Sequence, residues 1–194
     1  MAGRPRLFET EIVIERAIEV FWTKGYIDSS AEELLRAMQI GQGSFYSTFK
    51  GGKKELYEKS LIQFSDKANA RFNENLRKSN DSIEFLKKFF QAMAYSSRER
   101  KLKGCYLGNA IVELSNTDVY LKELASKLLE RLELSFKRVV DEAQKDGRIK
   151  NKTSSEIIAR HLINLWNGIN ITRRLYPDDE SLKTIIDLNL EILD

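Results

Sequence analysis

Few side chains in this chain can do covalent or metal chemistry: there is one histidine, His161, and one cysteine, Cys105. A multi-Cys/His zinc site needs several such ligands and an HExxH centre needs two histidines, so both are excluded, as is a disulfide within the chain. A Ser/Cys-His catalytic pair would have to use His161 itself, and no glycine-rich phosphate loop or paired-carboxylate motif accompanies it. His161 sits among Ile158, Leu162, Leu165 and Trp166, where a hydrogen-bonded core or subunit-contact role is expected. Cys105 lies in Gly104-Cys105-Tyr106-Leu107-Gly108-Asn109, just after Arg98, Arg100, Lys101 and Lys103. A helix N-terminus beside cations is a setting that favours a reactive thiolate. The other chemistry on offer is hydrogen bonding: Gln42, Ser44, Ser47 and Thr48 are short polar side chains grouped tightly enough to read base edges or phosphates.

The elements that must position these residues are helices. Only two prolines occur, Pro5 and Pro177, and neither Gly nor Pro interrupts residues 53–103 or 109–146. Ile12, Ile14, Ala17, Ile18, Phe21 and Trp22 predict a first helix over about 10–24, with Thr10 as its N-cap and Gly25 as its stop. Ser29-Ser30 opens a second, with Glu32 and Glu33 in its first turn, and Gly41-Gln42-Gly43-Ser44 leads into a third that Gly51-Gly52 closes. Leu56, Tyr57, Leu61, Phe64, Ala68, Phe72 and Leu76 mark a long helix over 53–78, a strut between two domains. Further helices are expected around 83–93, 105–114, 121–146 and 155–173, and a last one follows the turn at Pro177-Asp178-Asp179. The class is all-α, about nine helices.

With 42% hydrophobic and 31% charged residues the chain has enough apolar material for a core, and no run approaches the roughly 20 apolar residues of a membrane span. The N-terminus is polar, so a cytoplasmic protein is expected. The net charge of +3 decides nothing about a nucleic-acid partner, because residues 1–56 hold eight basic and eight acidic side chains. Phosphate contacts must then come from amides, hydroxyls and a locally basic edge.

Gly25-Tyr26, Ser29-Ser30, Leu34-Leu35, Ile40, Gly43-Ser44-Phe45-Tyr46, Phe49, Lys53 and Leu56 together resemble the DNA-binding domain of the TetR family of transcriptional regulators. The resemblance covers about the first 57 residues, with the core pattern Gly43-x-x-Tyr46-x-x-Phe49. Two features depart from the family. Gln39 stands where glycine is usual at the turn between the reader helices, which predicts a side chain in a strained left-handed conformation. The link Lys50-Gly51-Gly52-Lys53 is one residue longer than usual. The DNA face expected on these grounds comprises Ser29, Ser30, Gln42, Gly43, Ser44, Tyr46, Ser47, Thr48 and Lys53, with Arg4 and Arg6 on a basic arm entering the minor groove.

The resemblance implies a DNA-binding domain over 1–56 and an effector-binding and dimerisation domain over 57–194. It implies a homodimer through the last two helices, about 155–173 and 180–193, and a near-palindromic operator whose half-sites lie about 34 Å apart. Release by a small-molecule effector is expected, with Tyr95, Cys105, Tyr106, Asn109, Trp166, Asn167 and Arg173 as candidate pocket residues. No cofactor and no metal are expected. The Gly-Cys pattern at 104–105 is similar to the N-ethylmaleimide-reductase repressor branch, which makes electrophile or oxidant sensing through Cys105 an alternative. A small helical enzyme and a DNA-free interaction module are the remaining readings.

Overall fold

In a computed structural model, which describes residues 9–175 and 178–194, every regular element is a helix. The described residues form α1 (Thr10–Lys24), α2 (Ala31–Met38), α3 (Gln42–Thr48), α4 (Gly52–Lys78), α5 (Ser82–Gln91), α6 (Arg98–Lys103), α7 (Tyr106–Leu114), α8 (Val119–Lys145), α9 (Ser155–Thr172) and α10 (Asp179–Leu190). A 3-10 turn, Glu191–Leu193, ends the chain. The element beyond the expected set is α6, six residues whose only apolar side chain is the exposed Leu102; no periodicity signals it, and Ser97 caps it through the Arg100 amide. The cap of α1 also differs from expectation. Thr10 is its first residue, Glu9 precedes it, and no side chain caps it. Pro5, Arg4, Arg6 and Pro177 lie outside the described residues.

The chain divides into two compact units. The first comprises Met1–Ala68 and Asn109–Leu128. Its core is built by the inner faces of α1 to α4: Val13, Ile14, Ala17, Ile18, Phe21 and Trp22 from α1 meet Leu34, Met38, Phe45, Phe49, Leu56, Tyr57 and Leu61, all buried. Phe21 stands edge-on to Tyr57 at 4.7 Å, and Trp22 edge-on to Phe64 at 4.9 Å, the arrangement that the ring quadrupole favours. Burying each such aromatic contributes on the order of 2–3 kcal/mol, enough to fix three short helices that would not persist alone.

The second unit comprises Asn69–Gly108 and Leu129–Asp194. Phe72, Phe90 and Phe136 are buried in its core with Phe85 and Phe89 packed against them, Phe72 meeting Phe85, Phe89 and Phe136 edge-to-face, and Leu86, Val139, Val140, Ile158, Leu162, Leu182 and Ile186 complete the cluster. Its helices start on side-chain caps: Asp81 accepts from the amides of Ile83 and Glu84, Ser154 from Ile157, and Asp178 from Glu180 and Ser181. No described helix is long and apolar enough to cross a membrane, and no group of His, Cys, Asp or Glu among the described residues could hold a metal ion.

Candidate nucleic-acid interface

Helix α2 opens with a complete capping box. The Ser30 hydroxyl oxygen accepts from the Glu33 amide at 3.2 Å, and the Glu33 carboxylate accepts from the Ser30 amide at 3.2 Å. Lys24 pairs with the same carboxylate, and these contacts hold Glu33 below its usual range, the lysine contributing most. The helix ends at Gln39, whose φ of 57° and ψ of 41° place it in the left-handed region. It is the one described residue other than glycine with positive φ, as the sequence predicts. What holds it there is Arg16 of α1: its guanidinium donates to Met38 O at 3.2 Å and to Gln39 Oε1 at 3.0 Å.

After this turn α3 runs with its two faces fully separated. Phe45 is buried and Phe49, which closes the helix, is wholly so. On the other side Gln42, Gly43, Tyr46 and Ser47 are exposed, and Ser44 and Thr48 are partly so. Tyr46 is half exposed, with its ring edge-on to Phe45 at 5.0 Å, so the inner aromatic sets the direction of the outer one. The Ser47 hydroxyl donates to Ser44 O at 2.9 Å and keeps its acceptor lone pairs outward.

Other expected contacts take different places. Ser29 is buried, and its hydroxyl donates to Gly25 O at 2.5 Å, so its side chain closes the α1–α2 turn and does not face outward. The Ser30 hydroxyl is exposed and engaged in the capping box. Lys53 folds back on the same turn, donating to Ile27 O at 3.2 Å with its ammonium 4.8 Å over the Tyr26 ring. Burial pulls its pKa down, while Glu113 and Asp28 oppose that pull.

The side chain that sequence reasoning misses is Glu113 of α7. Its carboxylate accepts from the Tyr26 amide at 2.9 Å and from the Ile27 amide at 2.7 Å, holding the turn that precedes α2. Gly25, at φ 87°, is the complement of this contact: a Cβ there would stand 2.8 Å from a Glu113 oxygen. Nothing local in the sequence signals a partner that far along the chain.

Of the expected effector residues, Cys105, Trp166 and Asn167 come together in the second unit. Trp166 Nε1 donates to Cys105 Sγ at 3.3 Å, as does the Gly108 amide, and Asn167 lies beside Gly108. Trp166 also stacks on Phe89, 5.4 Å between centroids and 11° between planes. Arg173 is buried at the end of α9. Tyr106 is fully buried. Tyr95 does not join them: it is half exposed and donates to Glu180 Oε1 at 2.9 Å. Asn109 falls within the first unit. Cys105 is buried, and His161 faces Asn189 O at 3.3 Å.

A capped helix, a left-handed turn and a second helix with an apolar inner and polar outer face define a helix-turn-helix regulator that binds DNA. Known proteins agree. Residues 82–188, more than half of the chain, match the family described as "Tetracyclin repressor-like, C-terminal domain". The chain belongs to this TetR family of transcriptional regulators. It is 27% identical to the uncharacterised HTH-type transcriptional regulator YezE of Bacillus subtilis, over 99% of this chain and 100% of that one. It is also 27% identical to the HTH-type transcriptional repressor DhaR of a Mycobacterium species, over 93% and 90% of the two chains. Among solved structures, a cysteine mutant of the TetR-family regulator CifR in complex with a 26-base-pair operator superposes with a TM-score of 0.84 at 21% identity, over 98% of this chain and 100% of that one.

Proposed function

We propose that this protein is a homodimeric repressor that binds a near-palindromic double-stranded operator and leaves it when a small molecule binds. The observation that carries this reading is the two-faced α3, with Phe45 and Phe49 inward and Gln42, Ser44, Tyr46, Ser47 and Thr48 outward. In this reading residues 1–56 bind DNA, residues 57–194 bind effector and partner, and the protein works by binding and not by catalysis, in the cytoplasm. Gln42, Ser44, Ser47 and Thr48 reach base edges or phosphates, Tyr46 contacts phosphate, and Gly43 admits the backbone close to the DNA. Ser30 and Lys53 act at the rim. Arg4 and Arg6 add minor-groove contacts from the basic arm.

The second copy is expected on α9 and α10. Ile157 and Ile171 on α9, and Ile185 and Leu188 on α10, are large apolar side chains left exposed, the surface a four-helix interface would cover. Operator binding by fluorescence anisotropy tests the DNA face. Tyr46→Ala and Gln42→Ala are each expected to weaken operator affinity about tenfold, near 1.4 kcal/mol, with folding unchanged. Unchanged affinity in both variants would refute the assigned face.

A second reading concerns the signal. Two N–H donors converge on Cys105 Sγ, which favours a thiol that reacts with electrophiles or oxidants. Operator release by N-ethylmaleimide should then vanish in Cys105→Ser; equal release from both proteins would remove this reading.

A further inference from the structure

Arg173 is 4% exposed, and its Nε–H has no hydrogen-bond partner in the structure. Its Nη2 donates to Arg100 O at 3.1 Å, and that is the guanidinium's one polar contact among the described residues. No described carboxylate pairs with it. The charged groups around it are cations, Arg100 and Arg174; burial first, then these cations, pull its pKa down to about 10, against an opposing contribution from the neighbouring Cys105. At neutral pH the group is therefore a buried, uncompensated positive charge, offset only in part by the carbonyl end of α9.

Three further features surround it within the second unit. Arg174 lies against Gly104, whose absent Cβ would stand 2.3 Å from its Nη2. The N-terminus of the nine-residue helix α7 begins at the same junction, after Gly104 and Cys105. Asn170, one turn before Arg173 on α9, is likewise 4% exposed. Two cations and the positive end of a helix thus meet at one junction, with the Asn170 amide held on Trp166 O at 2.9 Å beside it, and no described carboxylate pairs with Arg173. Beside them the stacked Trp166 and Phe89 rings provide an apolar wall.

We propose that the effector site takes a small organic monoanion, a carboxylate, held by the Arg173 guanidinium with its apolar part toward Trp166. This rests on the reading of the protein as an effector-responsive regulator and names the chemical class of effector. A carboxylate matches the free Nε–H edge of a guanidinium, and a single negative charge balances the single uncompensated one.

The test uses the full chain without DNA, at constant ionic strength, with formate, acetate and benzoate as probes and formamide, acetamide and benzamide as their neutral counterparts. At least one acid is expected to bind saturably, at least tenfold tighter than its amide, to raise the melting temperature and to shift the Arg173 Nε–H signal in NMR. Arg173→Gln is expected to weaken that acid at least tenfold. Acids no better than their amides, or an acid bound equally by Arg173→Gln, would overturn the proposal. Should that variant not fold, the wild-type Nε–H signal decides, and its failure to shift is equally fatal. A parallel titration with operator separates the two readings: operator binding without acid binding sinks this site alone, and acid binding without operator binding sinks the repressor alone.

Discussion

Helices α3 and α9 both bury an apolar stripe but differ in what they leave at its margins. The seven residues of α3 turn aromatic side chains inward and hydrogen-bonding side chains outward. The eighteen-residue α9 leaves Ile157 and Ile171 exposed, while Asn170 and its closing residue Arg173 are 4% exposed. Ordinary burial explains α3, and its polar face is free to meet DNA. Ordinary burial explains the inner stripe of α9, Ile158, Leu162, Leu165 and Ile169, but not these exposed isoleucines or the buried charge, because an apolar side chain in water and a charged one out of it both cost free energy. In the reading proposed above, these exceptions mark an apolar partner outside and a polar one inside. The reader helix is explained by its own core alone, and the exceptions on α9 by what it is proposed to bind.

The largest effect that bears on this contrast is expected at Phe45. Phe45→Ala should destabilise the first unit by about 3–5 kcal/mol in denaturant unfolding and abolish operator binding, since the inner ring orients the outer face. A loss below about 1 kcal/mol would mean that α3 is not held by its apolar side. For the outer side of α9, Ile157→Asp with Ile171→Asp should weaken dimerisation at least 100-fold in sedimentation, about 2.7 kcal/mol, while the monomer keeps its helix content. A dimer of unchanged affinity would place the partner elsewhere. On the inner side, Arg173→Met should raise the melting temperature of the ligand-free protein by about 2–4 °C, near 1 kcal/mol, because it removes a charge with no counterpart and leaves Arg100 O to water. A lower melting temperature would make Arg173 a structural brace.

The smallest effect lies in the reader's own electrostatics. Glu33 is held below its usual value by Lys24 and the Ser30 amide. A lowered folded-state pKa means that its stabilisation is full above the ordinary carboxylate value, about 4.3, and is lost as pH falls through the lower folded value. Glu33→Gln can keep the box but not the ion pair, so the wild type should melt slightly higher at pH 7 and the gap should close below about pH 4. A gap that persists at pH 3 would exclude the ionised carboxylate as its source.

What the sequence made legible is what short spacing encodes. Ser29-Ser30 followed by Glu32-Glu33 marks a helix start, Gly43, Tyr46 and Phe49 lie on successive turns, and the left-handed Gln39 follows from the resemblance, which puts glycine at that turn. Fold class was legible because most helices carry an apolar stripe; α6 was not, having none. Direction within a motif was also hidden: the pair Ser29-Ser30 reads as two equal hydroxyls, yet one is buried on Gly25 O and the other is exposed. The aromatic Tyr95 stands outside the cluster of Cys105, Trp166 and Asn167, because composition names pocket-like residues without saying which way they face. Glu113 was least accessible of all, since a carboxylate that binds only backbone leaves no mark on the residues it holds.

That carboxylate has a consequence for how the protein can be watched. The Tyr26 and Ile27 amides both end on Glu113, so they exchange with deuterium only when α7 releases them. Their two exchange rates form a built-in gauge: they slow together while the helix is seated and quicken together when it lifts, and they need no label beyond heavy water.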